Sequence, residues 1–185
     1  MIELAASFDS QLSNLAPYLI YLIVGAIVFF ETGVLFAFFL PGDSILFSAG
    51  LVAAAHGDVN IVILVTVIFI AAFLGDQVGF VIGRLVGRPY LDKHDSPRMQ
   101  KMIARSERFY EQTGWWAVVA ARFFPWIRTF VPPIAGASKM NYYKFLSANI
   151  LGALLWGVGI TLAGYYAASL PWVKTWSYAI AAFFI

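Results

Sequence analysis

Four charged residues stand inside otherwise apolar stretches of this chain: Glu31, Asp43, Arg122 and Arg128. Glu31 follows Phe29-Phe30 and precedes a strongly apolar run, and Asp43 comes directly after Pro41-Gly42. A carboxylate in such surroundings can take up and release a proton, as an ion-coupling site needs, or serve as the structural partner of an arginine. Asp43 also stands where a residue would cap a following half-helix, and the N-terminus of a half-helix inside a membrane is itself a place for ions. Arg122 and Arg128 are six residues apart, on different faces of one continuous helix, a geometry that Pro125 between them distorts. A guanidinium keeps its charge and forms bidentate bonds to carboxylate or phosphate. Two uses of the arginine pair stay open: a cradle for a phosphate headgroup, or neutralisation of Glu31 and Asp43. A charge at the centre of a lipid-facing helix costs roughly 2.5–3.5 kcal/mol. Acids in one half and guanidiniums in the other therefore predict that the two regions meet and their charges pair.

Two further charges are secondary candidates. Asp76 and Arg84, in the string GDQVGFVIGR, are eight apart and so on roughly the same helix face, with Asp76 inside the membrane and Arg84 able to snorkel to the interface. Structural roles are expected for both. His56 at an outer turn and His94 in a polar loop have no metal-ligand neighbours, so no metal or cofactor is expected. The chain has no cysteine, which removes thiol chemistry. Ser48 has no histidine placed to activate it, and neither histidine has a phosphatase context, so an enzyme is not expected.

The elements that must position these groups are apolar. Hydrophobic residues make up 61% and charged residues 12% of 185 residues, and the mean hydropathy is +0.79, whereas soluble domains are nearer half apolar and a quarter charged. The net charge of +2 is too small and scattered for a nucleic-acid partner. The expected fold is an all-α polytopic membrane protein forming one domain, 1–185. Its first half, 17–86, holds a re-entrant hairpin over 17–56, where Pro41-Gly42 makes the turn before a spanning helix from Val59 to Val86. A polar, amphipathic loop covers 87–114, with a short helix expected from Ser96-Pro97 to a stop at Gly114. The second half, 115–170, holds a hairpin over 115–138 turning near Pro132-Pro133, then a spanning helix from Asn141 to Ala168. Residues 171–185 begin a last helix, shorter than a span where the sequence stops. The N-terminal stretch lacks the basic region of a cleavable signal and reads as mature sequence. A broken backbone at membrane depth survives only where protein or water covers it.

The halves echo one another. Glu31 lies ten residues before Pro41 and Arg122 ten residues before Pro132, and each broken segment precedes a long apolar helix. Corresponding interrupted segments in two halves point to a transporter binding site. Seven basic residues fall between Arg84 and Arg108, which puts loop 87–114 in the cytoplasm and the N-terminus outside. Lys139 and Lys144 then lie on the cytoplasmic side, and Lys174 is the one exception. The halves thus have opposite topology, an inverted repeat.

The strings ETGVLFAFFLPGDSIL, GDQVGFVIGRLVGR and ARFFPWIRTFVPPIAGASKMNYYKF, followed by a Gly-rich helix containing Trp156, resemble the DedA family of bacterial inner-membrane proteins. That family is related to eukaryotic VTT-domain lipid scramblases. The resemblance implies two opposed re-entrant hairpins and assigns the essential acids and arginines to Glu31, Asp43, Arg122 and Arg128. It implies transport of a polyprenyl phosphate such as undecaprenyl phosphate, coupled to protons or sodium. Proton-coupled export of small ions or drugs and passive scrambling are the alternatives. Membrane lipids are the expected partners, and self-association of the chain is compatible with the sequence.

Overall fold

The computed structural model describes residues 2–33, 42–55, 57–93 and 97–170. The expected turn at Pro41, His56, His94, the Ser96 helix start and the final run from Pro171 lie outside the described residues. Every regular element described is a helix. Helix α1 spans Ile2–Gly33 and α2 spans Gly42–Ala55. Helix α3 runs Ile61–Lys93 with a π-turn at Gly83–Gly87, and α4 spans Pro97–Gln112. Three short helices follow, α5 Gly114–Ala121, α6 Pro125–Arg128 and α7 Val131–Ala137. Helix α8, Tyr142–Ala167, carries a second π-turn at Leu154–Val158.

Only α3 and α8, among the described residues, are long and apolar enough to cross a membrane. Their outward faces, and that of α1, are lined with exposed large apolar side chains, among them Leu19, Leu22, Val62, Ile70, Leu74 and Leu155. An apolar girdle of this extent is suited to lipid and not to water. Both long helices open on an asparagine whose Oδ1 accepts from two backbone amides of the first turn. Asn60 accepts from Val62 and Ile63, and Asn141 from Tyr143 and Lys144.

Several boundaries depart from the sequence expectation. Helix α1 passes through Pro17 and begins at Ile2, since the preceding Ala, Leu, Glu and Gln residues favour helix and one proline removes a single backbone donor. Helix α4 stops at Gln112, and Gly114 opens α5 instead of ending the loop helix. Pro132-Pro133 do not form a turn. They occupy the first turn of α7, where a missing N–H has no partner to lose. The breaks in this region fall at 122–124 and at 129–130, so Arg122 and Arg128 do not share a continuous helix.

The packing is crossed between the halves. Helices α1 and α7 lie on α3, while α2 and α5 lie on α8. Thus the arm after each break, α2 or α7, rests on the long helix of the opposite half. Glycine pairs allow the backbones to meet: a Cβ at Gly50 or Gly164 would strike the Thr161 or Phe47 carbonyl, and one at Gly83 or Gly136 the Pro133 or Phe80 carbonyl. Gly83 and Gly164 each lie 23 residues after the capping asparagine of their helix. One apolar core gathers Val28, Leu46, Leu64, Ile68 and Trp156. A second gathers Phe80, Tyr110, Val118 and Phe145, with the Phe80 and Phe145 rings stacked at 4.3 Å.

Candidate functional site

Between the two cores lies a layer of buried charge, and the helix ends supply it. Glu31 is in the last turn of α1 and Asp43 in the first turn of α2, and the two acids meet one guanidinium. Asp43 is not the cap of α2 but lies inside its first turn, where a negative charge still complements the helix dipole. Arg128 closes α6 and reaches both acids. Its Nη2 pairs with Glu31, and its Nη1 donates to Asp43 Oδ1 at 2.7 Å. Thr129 beside it donates its hydroxyl to the Glu31 carbonyl at 3.3 Å. The carboxylate of Glu31 lies against Gly42, where any side chain would collide with it. Its Oε2 has no aligned hydrogen-bond donor, and Arg128 Nε has no acceptor.

Arg122 ends α5 and turns into a separate cluster. Its Nη2 donates to Asp76 Oδ2 and Asn149 Oδ1, each at 2.5 Å, and lies 3.4 Å from the Ala72 carbonyl. Asn149 returns an N–H to the Phe73 carbonyl at 3.1 Å, tying α8 to α3. Gly152 leaves the room that Arg122 fills, since a Cβ there would stand 2.7 Å from Arg122 Cδ. The charges therefore pair across the two regions as expected for Arg128. Arg122 takes Asp76 instead, because Asp76 projects inward from α3 while Glu31 and Asp43 are already held by one guanidinium.

Trp156 joins the two clusters. It is fully buried on the π-turn of α8, and such turns often mark functional positions. Its indole N–H donates to Asp43 Oδ1 at 2.6 Å. The Arg128 Cζ stands 4.5 Å, and the Arg122 Cζ 6.0 Å, from its ring centroid, within cation–π range. Asn149 and Thr129 were not among the sequence candidates, and Trp156 entered only through the family resemblance. A lone amide in an apolar spanning helix is a legible signal of interhelical bonding. The remaining candidate, Arg84, is exposed and stacks over Phe80 at 5.8 Å. It does not meet Asp76, which belongs to Arg122.

Three carboxylates thus face two guanidiniums. Such a group accepts one further positive charge, and an unaligned carboxylate oxygen is a place to put it. Of the three acids only Asp43 is substantially exposed, with 41% of its side chain accessible.

Charged helix ends thus lie against apolar helices long enough to cross a membrane, and the VTT domain matches residues 40–166. This segment includes Asp43, Asp76, both arginines, Asn149 and Trp156, while Glu31 precedes it. The chain is 44% identical over 150 residues to an uncharacterized membrane protein of Mycobacterium leprae, covering 80% of this chain and 66% of that one. It is 46% identical over 149 residues to an uncharacterized membrane protein of Mycobacterium tuberculosis, covering 80% and 65%. With Protein DedA of Escherichia coli it shares 38% identity over 179 residues, 94% of this chain and 82% of that one. The chain belongs to the DedA family of VTT-domain membrane proteins. It spans just under two thirds of the length of the mycobacterial relatives. No solved structure matches it.

Proposed function

We propose that this protein is a cation-coupled carrier of an anionic polyprenyl phosphate lipid, such as undecaprenyl phosphate, and not an enzyme. The observation that carries the reading is the cluster of Arg128 with Glu31 and Asp43, at the ends of broken helices and one positive charge short of neutrality. With both acids ionised, Arg128 is fully engaged and closed to an incoming anion. A proton on Glu31 Oε2, or a sodium ion beside it, weakens the hold on the guanidinium. The freed N–H groups of Arg128 can then take phosphate oxygens bidentately. Release of the lipid returns Arg128 to the acids and the cation to the other side. The polyprenyl tail stays in the bilayer throughout. In this scheme Arg128 handles the substrate, and Arg122 acts beside it by holding Trp156 in place.

Alternating access fits the crossed packing. We read Pro17–Ala55 and residues 115–138 as two opposed re-entrant hairpins of an inverted repeat. The matched asparagine caps and the glycine contacts at equal spacing support that reading. The basic loop 87–114 faces the cytoplasm of a bacterial inner membrane and the N-terminus faces outward, by the placement of Lys and Arg.

The test is flipping of undecaprenyl phosphate in proteoliposomes by the wild-type protein and Glu31→Gln, with and without an imposed pH or sodium gradient. Flipping that needs both Glu31 and a gradient is the expected result, and the gradient that works names the ion. Flipping that persists unchanged without any gradient makes the protein a scramblase. A folded preparation that acidifies or alkalinises vesicles but moves no lipid belongs to the small-ion exporter class instead.

A further inference from the structure

A cavity lined by charged side chains lies apart from the buried cluster. It has a volume of about 670 Å³ and opens where the π-turn of α3, the end of α4 and the link from α7 to α8 meet. Arg84, Arg88, Lys139 and Lys144 line it, opposed by Glu107 and Glu111 alone. The electrostatic balance there is positive, and the cations are unequally committed. Arg88 is held by Asp92 and Glu107. Lys144 reaches only the Glu111 carbonyl, at 3.5 Å. Arg84 and Lys139 have no carboxylate partner among the described residues. Tyr110, whose hydroxyl burial pushes up to about 12, forms part of the wall as a neutral group.

The backbone at Lys139 adds an independent observation. Its φ is +55°, the sole positive φ among the described residues, in a conformation that glycine or asparagine adopts more readily. Lysine at this turn bears a local strain that glycine would not, and it is one of the residues lining the cavity. The seat is polar and positive, while α3 and α4, which contribute to its wall, also carry exposed Leu85, Val86 and Phe109. A headgroup can enter the cavity with its chain left among these apolar side chains.

We propose that this cavity is a docking site for the phosphomonoester headgroup of a lipid, engaged by Arg84, Lys139 and Lys144 before the headgroup reaches Arg128. The inference rests on the carrier reading, and binding and flipping separate the two. The full chain in phosphatidylcholine nanodiscs is titrated with dodecyl phosphate, with dodecylphosphocholine as the zwitterionic control and inorganic phosphate as competitor. The variant is Arg84→Gln combined with Lys139→Gly. Lys139→Gly removes the charge while suiting the backbone, so loss of binding is not loss of fold.

Dodecyl phosphate is expected to bind the double variant about tenfold more weakly than the wild type. The double variant should still flip undecaprenyl phosphate when the lipid is abundant and fail when it is scarce, a rise in KM with kcat kept. Equal binding by wild type and double variant overturns the site. Displacement by inorganic phosphate at concentrations equal to those of dodecyl phosphate overturns the lipid assignment in favour of free phosphate. Docking that survives in a wild-type protein unable to flip lipid sinks the carrier reading and leaves the docking site standing.

Discussion

Arg122 and Arg128 are six residues apart, equally buried, and share one indole ring, yet their partners sit on different kinds of backbone. Arg122 is held by Asp76 and Asn149, which project from the middles of the two long helices. Those helices cannot separate without breaking their own packing, and the Asp76 side chain is 5% exposed. Arg128 is held by Glu31 and Asp43, at the end of one helix and the start of the next, with Asp43 open to the outside. A helix end can shift by a turn at little energetic expense, whereas a helix middle cannot. In the proposed cycle the first arginine is a rivet and the second a latch, and a residue's chemical type does not say which.

Removing each arginine should break this comparison most sharply. Arg122→Gln strands Asp76 in the interior and should cost about 3–5 kcal/mol, read as a large fall in the thermal unfolding midpoint followed by tryptophan fluorescence in detergent. Replacing both partners, Arg122→Met with Asp76→Leu, should recover most of that loss. Arg128→Lys should retain the fold while flipping falls at least about tenfold, because an ammonium cannot grip phosphate bidentately. If Arg128→Lys unfolded the protein as Arg122→Gln does, the two clusters would be equivalent and the distinction false.

Two smaller changes sharpen it. Gly152→Ala puts a methyl group against the Arg122 stem, and Gly42→Ala puts one into the Glu31 carboxylate. Each overpacks by one carbon, worth about 1–3 kcal/mol. The first should lower stability alone, and the second should also shift the pH dependence of flipping. Trp156→Phe keeps a ring under the guanidiniums but deletes the N–H to Asp43. It should cost about 1.5 kcal/mol, the low end for a bond to a charged group, measured as the change in unfolding midpoint, with flipping slowed and not abolished.

The charges themselves were legible in the sequence, because Glu31, Asp43, Arg122 and Arg128 interrupt runs in which any charge is expensive. That the two regions would meet and their charges pair followed from the opposite signs, but not that Arg128 alone would hold both acids. The partner of Arg122 was not legible. Helical spacing set Asp76 on the same face as Arg84 but could not say which neighbouring helix that face would meet. Asn149 carries no charge and so left no interruption in its run. Pro132-Pro133 were misread for a related reason. A proline marks a helix break and a helix start equally well, and only the packing of α7 on α3 decides between them.

The pairing of Glu31 with Arg128 joins residues 97 positions apart, and that of Asp43 with Trp156 joins residues 113 apart. A ribosome therefore delivers the two acids to the membrane long before anything that neutralises them has been made. At roughly 5–20 residues per second, the first half waits several seconds with its carboxylates uncompensated. The arm α2 lacks its main packing partner until α8 arrives. The charge pairing and the packing of α2 can therefore be completed only after the last helices have been synthesised.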